Sequence, residues 1–253
     1  MNLHFSIKGE GEPVILLHGL FGSLDNLGMI ARGLESDFRV LSFDLRNHGR
    51  SPHANHMSYD LIAADVVGMM DELDIGSAHF YGHSMGGKTA MQIALNYPRR
   101  VKSLIVGDIA PVTYAHHHKK ILEGMREVER QMPQTRSQAR HILADYIDEP
   151  NVLGFILTNF KRDEAGSHAW RLGLDAIEFD HDTIMQAVTG TPFNGKVLFI
   201  KGGTSDYILS EHREKILELF PAATVRIIEG TGHWFHADKP DMTIRIVKRF
   251  LGE

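Results

Sequence analysis

The stretch Phe80-Tyr81-Gly82-His83-Ser84-Met85-Gly86-Gly87-Lys88-Thr89 decides how this chain reads. An apolar run over 78–81 ends in a Gly-x-Ser-x-Gly pentad, and a helix-compatible segment follows. That pattern predicts a strand, a sharp turn and a helix, with Ser84 at the tip of the turn. A serine on so tight a turn sits at a strained backbone angle, and the flanking glycines let neighbouring segments approach it closely. The same residues, 82–89, also satisfy Gly-x-x-x-x-Gly-Lys-Thr, the pattern of a phosphate-binding loop. A nucleophilic serine and a phosphate cradle therefore compete for one stretch.

Working outward, Val14-Ile15-Leu16-Leu17 is a continuous apolar run of the kind buried on both faces of a parallel sheet. It leads into His18-Gly19-Leu20-Phe21-Gly22-Ser23, a glycine-rich turn at a strand's carboxyl end, where α/β sheets bind ligands. An edge strand is predicted over 3–7, a helix over 26–34, a strand over 39–43 and a helix over 59–73. After the pentad a helix runs to Pro98, and a buried-type strand over 101–106 ends at Gly107-Asp108. From 110 to 192 strands are absent from the pattern, which suggests short helices over 120–131, 137–146, 152–159 and 181–188. The β/α rhythm then returns with strands over 196–200 and 224–228 and helices over 210–220 and 239–250. This predicts an α/β core over 1–111 and 193–253, with a helical lid, 112–192, inserted over the sheet's carboxyl edge.

Composition narrows the chemistry. The chain has no cysteine, so disulfides, thiolate metal sites and a cysteine nucleophile are excluded. A net charge of −5 gives no basic footprint for nucleic acid. No window approaches the roughly 20 apolar residues of a membrane span. The first residues lack the basic and apolar regions of a signal peptide, so a cytoplasmic location is the expectation.

Three stretches choose between the two chemistries. The pentad is complete, a His18-Gly19 turn follows a buried strand, and Gly232-His233-Trp234 follows the last strand. A phosphate loop accounts for the first alone. A nucleophilic serine accounts for all three, because it needs a base, an orienting acid and donors for an oxyanion. The chain resembles the α/β-hydrolases, and more narrowly the bacterial YbfF-type esterases and ABHD11-like hydrolases. The residues carrying the likeness are His18-Gly19-Leu20-Phe21-Gly22-Ser23, Asp44-x-Arg46-Asn47-His48-Gly49-x-Ser51, the pentad, Asp108-Ile109-Ala110-Pro111-Val112 and Gly232-His233-Trp234-x-His236-Ala237. The resemblance implies an α/β-hydrolase fold, a mostly parallel twisted sheet flanked by helices.

Ser84 is then the expected nucleophile and His233 its base. For the acid, the loop Gly202-Gly203-Thr204-Ser205-Asp206-Tyr207 has two registers: one puts Asp206 in place, the other puts Ser205 there. Resemblance to the YbfF type favours the second, with Asp108 as the carboxylate and Ser205 as its helper, and Asp206 stays the alternative. The backbone N–H of Met85 and that of Leu20, or else of Phe21, are the expected oxyanion donors. Phe21, His83 and Trp170 are candidate pocket residues, as are the insertion's Met125, Phe155, Phe160, Leu172 and Met185, which serve equally as the lid's own core. Asp44 and Arg46 read as loop fasteners. His116-His117-His118 has metal-ligand residue types, but adjacent helical positions face different ways, so it reads as a solvated helix start.

The expected activity is hydrolysis of carboxylic esters or acyl thioesters, and the resemblance implies short- to medium-chain acyl esters and acyl-CoA thioesters as the leading substrates. It would run through an acyl-enzyme, without metal or organic cofactor. A lyase or carbon–carbon bond hydrolase of the same fold, and a non-catalytic binding module, are the alternatives.

Overall fold

The computed structural model describes residues 1–115, 118–162 and 166–252. Its elements are β1 (Phe5–Lys8), β2 (Pro13–Leu17), α1 (Gly28–Leu34), β3 (Arg39–Phe43), α2 (Tyr59–Glu72), β4 (Ala78–His83), α3 (Met85–Asn96) and β5 (Val101–Gly107). The insertion follows as α4 (Lys119–Gln131), α5 (Arg136–Leu143), α6 (Pro150–Ile156), β6 (Phe160–Arg162), β7 (His168–Trp170), α7 (Leu174–Phe179) and α8 (His181–Met185). The chain returns with β8 (Lys196–Gly202), α9 (Arg213–Leu219), β9 (Ala223–Ile228), α10 (Phe235–Asp238) and α11 (Pro240–Gly252).

Seven strands form one sheet in the order β1-β3-β2-β4-β5-β8-β9, parallel throughout except for β1, which runs antiparallel to β3. The continuous apolar runs are explained by burial on both faces. Ile15, Leu17, Phe80 and Phe199 point to the face covered by α2, α3, α9 and the insertion, and Val14, Leu16, Tyr81 and Leu198 to the face covered by α1 and α11. The insertion's apolar residues, among them Met125, Ile142 and Trp170, join the first of these clusters, so the lid and the sheet face share one core. No helix among the described residues is long and apolar enough to cross a membrane.

Three differences from the sequence reading have physical causes. The insertion is not purely helical: Phe160 and Trp170 pair across an antiparallel two-stranded sheet too short to show a period of two. The segment over 26–34 is split, because Ser23 caps a 3-10 turn over Leu24–Leu27 before α1 begins. The edge strand starts at Phe5 instead of residue 3; Leu3 is instead buried, with its N–H on the Met69 sulfur.

Candidate active site

Ser84 stands between β4 and α3 at φ 53° and ψ −121°, left-handed backbone that a side-chain-bearing residue adopts at a cost of about 1–3 kcal/mol. The turn can be this tight because of two glycines. A Cβ on Gly82 would run into the Gly86 carbonyl, and one on Gly86 into the Leu17 carbonyl of the adjacent strand end. The Ser84 N–H donates to the Gly107 carbonyl at 2.8 Å, which ties the elbow to β5. Such closeness is what the pentad's glycines encode.

Asp108 follows β5, also at positive φ (48°), and is fully buried. Its N–H donates to Ile200 at 2.8 Å. Its carboxylate accepts from the Gly202 N–H at 2.9 Å, from the Ser205 hydroxyl and from Nδ1 of His233 at 2.7 Å. A buried carboxylate with three donors is compensated in its ionised form. Asp206 is exposed, whereas Ser205 beside it is buried. The structure therefore brings together Asp108, Ser205 and His233 and leaves Asp206 outside.

The imidazole of His233 is held from several sides. Tyr207 stacks on it with ring centroids 4.0 Å apart, and the His83 ring lies 4.6 Å away. Nε2 of His83 donates to the His233 carbonyl at 2.8 Å, fixing the loop's backbone. Burial pulls His83 well below the usual histidine range, with His236 and His233 adding to it, and burial and His233 bring His236 down to about 4. Both stay neutral.

The turn after β2 is braced in the same way. His18 donates from Nδ1 to the Gly19 carbonyl and accepts the Leu45 N–H on Nε2 at 3.0 Å. His48 donates from Nδ1 to Arg46 and accepts the Phe21 N–H on Nε2 at 3.1 Å. Burial lowers these rings to about 4 and about 3, so both keep an acceptor nitrogen. The lid contributes Asn159, whose Nδ2 donates to the Phe21 carbonyl at 2.7 Å. Of the two candidate donors Leu20 and Phe21, the Phe21 N–H is committed to His48. Met85, at the first position of α3, has no intrahelical acceptor for its N–H.

Asp44 accepts the Leu24 and Arg50 N–H groups at 2.7 and 2.9 Å, while Arg46 pairs with Asp65 at 2.6 Å. These charged contacts fasten loops and leave the cavity to others. Lys88 and Thr89 are likewise engaged inside: Lys88 Nζ donates to the Met185 and Gln186 carbonyls of the lid, and Thr89 to the Met85 carbonyl. Burial brings the Lys88 ammonium down to about 7. Neither side chain is turned out to cradle a phosphate.

A cavity of about 820 Å³ opens over Ser84, lined by the Leu20–Phe21 turn, His83, His118, Phe155, Tyr207, His233 and Trp234 among others. A volume of this size suits a drug-sized organic ligand. Trp170 is not among the lining residues: its indole N–H donates to the Met125 carbonyl at 3.1 Å and its ring packs on Phe160, so it holds the lid together. His116 and His117 lie outside the described residues, whereas His118, at the start of α4, packs edge-on against Phe21. Sequence reasoning missed Tyr207, His48 and Asn159. Tyr207 stands in the loop that carries Ser205 and Asp206, so its place could have marked it, but the other two act across long sequence separations that leave no local signal.

With this geometry the chain matches known proteins over most of its length. The family model described as alpha/beta hydrolase fold matches residues 12–141. A putative esterase/lipase of Haemophilus influenzae is 44% identical over 241 residues, covering 95% of this chain and 83% of that protein. Esterase YbfF of Escherichia coli is 38% identical, with 96% and 94% covered. An sn-1-specific diacylglycerol lipase, ABHD11 of Danio rerio, is also 38% identical, with 98% and 80% covered. Among solved structures, a marine microorganism esterase superposes with a TM-score of 0.95 at 42% identity, covering 98% of both chains.

Proposed function

Since this chain belongs to the α/β-hydrolase fold family and is a hydrolase like its esterase and lipase relatives, we propose that it is a serine esterase working through an acyl-enzyme intermediate. Its substrates on this reading are small carboxylic esters, with acyl thioesters as a related class. The observation that carries the reading is the 2.7 Å contact between His233 Nδ1 and the buried Asp108 carboxylate, beside the strained serine at the elbow.

In the mechanism, His233 carries its proton on Nδ1, donated to Asp108, which leaves Nε2 as the base. As the Ser84 oxygen attacks the ester carbon, its proton passes to Nε2 and the carbonyl oxygen gains negative charge. The Met85 and Leu20 N–H groups receive that charge, in a low-dielectric site where fixed donors are worth most. Collapse of the tetrahedral adduct expels the alkoxide, which takes the proton from Nε2. Water then repeats the sequence on the acyl-enzyme: His233 removes its proton, and collapse returns the proton to Ser84 and frees the acid. Asp108 stabilises the imidazolium in both halves and stays ionised throughout.

The test is turnover of p-nitrophenyl butyrate by the wild-type chain and by Ser84→Ala, together with labelling by a fluorophosphonate. Wild-type turnover with label on Ser84, both lost in the variant, is the expected result. Equal rates in the two proteins would refute the proposal.

A further inference from the structure

Two cavities meet at Ser84, and they differ in size and chemistry. The large one, about 820 Å³, includes His233, Trp234 and His236. The small one, about 30 Å³, includes Met85, Lys88, Ile109, Ile184 and Met185, and His233 is not part of its wall. Both are bounded by Leu20, Ser84, His118 and Tyr207.

The reaction proposed for Ser84 and His233 gives each side its half of the ester, and the pocket assignment rests on that esterase reading. The imidazole that protonates the leaving alkoxide must face it, so the alcohol part of the ester lies on the side that His233 lines. The acyl substituent points the other way, past the start of α3, into the space without the imidazole. We infer that the small cavity is the acyl pocket, that it admits a short acyl chain, and that the buried side chain of Lys88 closes it. The limit comes from volume: about 30 Å³ is a small fraction of the 820 Å³ on the other side of Ser84 and leaves room for a short acyl chain only.

Lys88 is placed to act as the floor. It lies one helical turn beyond Ser84, its own N–H bonds the Ser84 carbonyl, and both residues line the small cavity. Its side chain is 1% exposed, and Nζ is fixed by the Gln186 carbonyl at 2.6 Å and the Met185 carbonyl at 3.2 Å. The rings of Tyr114 and Tyr59 flank it at 4.9 and 5.5 Å. A longer alkyl chain would have to displace an amino group held by two carbonyls and flanked by two aromatic rings, and an alkyl group cannot replace those contacts. The alcohol side has no such limit, which makes the site selective for the acyl half and permissive for the leaving group.

The experiment is a chain-length series of p-nitrophenyl esters, acetate to octanoate, against wild type, Lys88→Ala and Ile184→Ala. For wild type, kcat/KM should fall about 100-fold or more from butyrate to octanoate, in line with the cost of forcing extra methylenes into a filled pocket. With the butyryl group fixed, p-nitrophenyl and 1-naphthyl esters should differ by less than about tenfold. Each variant should raise the octanoate-to-butyrate ratio at least about tenfold, Lys88→Ala by deepening the pocket and Ile184→Ala by widening it with the Lys88 anchor intact. A ratio is independent of how much of a variant is folded. Wild-type cleavage of octanoate as fast as butyrate, or an unchanged ratio in both variants, would overturn the pocket assignment while Ser84 labelling and butyrate turnover left the esterase reading standing. Absence of both labelling and turnover would overturn the two together.

Discussion

Replacing Asp108 by Asn tests the site at its centre. The amide keeps the shape of the carboxylate, and its oxygen can still accept the Gly202 N–H, 2.9 Å away in the native structure. Its NH₂ group is then turned toward Ser205 and His233, where the native oxygen accepts from Nδ1 at 2.7 Å. Facing a donor, Nδ1 has to become an acceptor, which moves the proton to Nε2, the atom that receives the Ser84 proton in the mechanism proposed above. The imidazolium also loses its buried counter-charge. In comparable triads the two effects cost about four orders of magnitude in kcat, or about 5 kcal/mol at 1.36 kcal/mol per decade. Asp206→Asn, at an exposed position, should change the rate by less than about twofold. The assay is kcat/KM on p-nitrophenyl butyrate, with circular dichroism melts to confirm that both variants fold. If Asp206→Asn lost as much as Asp108→Asn, or Asp108→Asn kept a tenth of the wild-type rate, the assignment of the acid would be refuted.

Other contacts carry expectations of their own. Ser205→Ala removes one charge-assisted hydrogen bond to Asp108, so kcat/KM should drop about tenfold and a denaturant melt should show a loss of about 2 kcal/mol. His48→Ala frees the Phe21 N–H and loosens the turn that presents Leu20; kcat should fall about tenfold or more with KM little changed, as steady-state kinetics would show. Gly86→Ala forces a methyl into the Leu17 carbonyl and should cost about 3 kcal/mol or more, read as a lowered denaturation midpoint. Acid should destabilise the fold through His18 and His48, whose folded values of about 4 and about 3 lie below the free value of 6.5. As pH falls through 6.5 the unfolded chain takes up protons that the folded rings refuse, so each ring should cost about 2 kcal/mol between pH 7 and pH 5. Urea melts at the two pH values measure this, and a His48→Gln variant should lose less than wild type over the same interval.

How much of the fold and the site was legible in the sequence depends on the range of each interaction. Ser84 and the helix after it are written in five consecutive residues, because the elbow is a local backbone problem that only glycines solve. The two-faced strands read correctly as continuous apolar runs. Asp108 was less legible: its carboxylate meets His233 across 125 positions of chain, and the neighbouring loop offers a carboxylate of its own at Asp206. Only the likeness to other hydrolases favoured Asp108. Trp170 shows the opposite failure, since an aromatic residue in an insertion has the same local pattern whether it faces a ligand or the lid's interior. The β6–β7 pair escaped because three residues carry no period. His48 and Asn159 brace the Leu20–Phe21 turn through single hydrogen bonds from 27 and 138 positions away, and nothing near either residue marks that task.

The inward turn of Ser205 toward Asp108 has a consequence for how such a site can change over generations. The two loops after β5 and β8 reach the same imidazole, so either is a feasible home for the acid. They are not feasible together: Ser205→Asp in an otherwise unaltered chain would set two carboxylates in hydrogen-bond contact, and one would be forced to hold a proton at neutral pH. A lineage moving its acid from one loop to the other must therefore pass through a shared-proton pair or through a chain lacking the acid. The serine hydroxyl marks the loop that gave up, or never took, the charge.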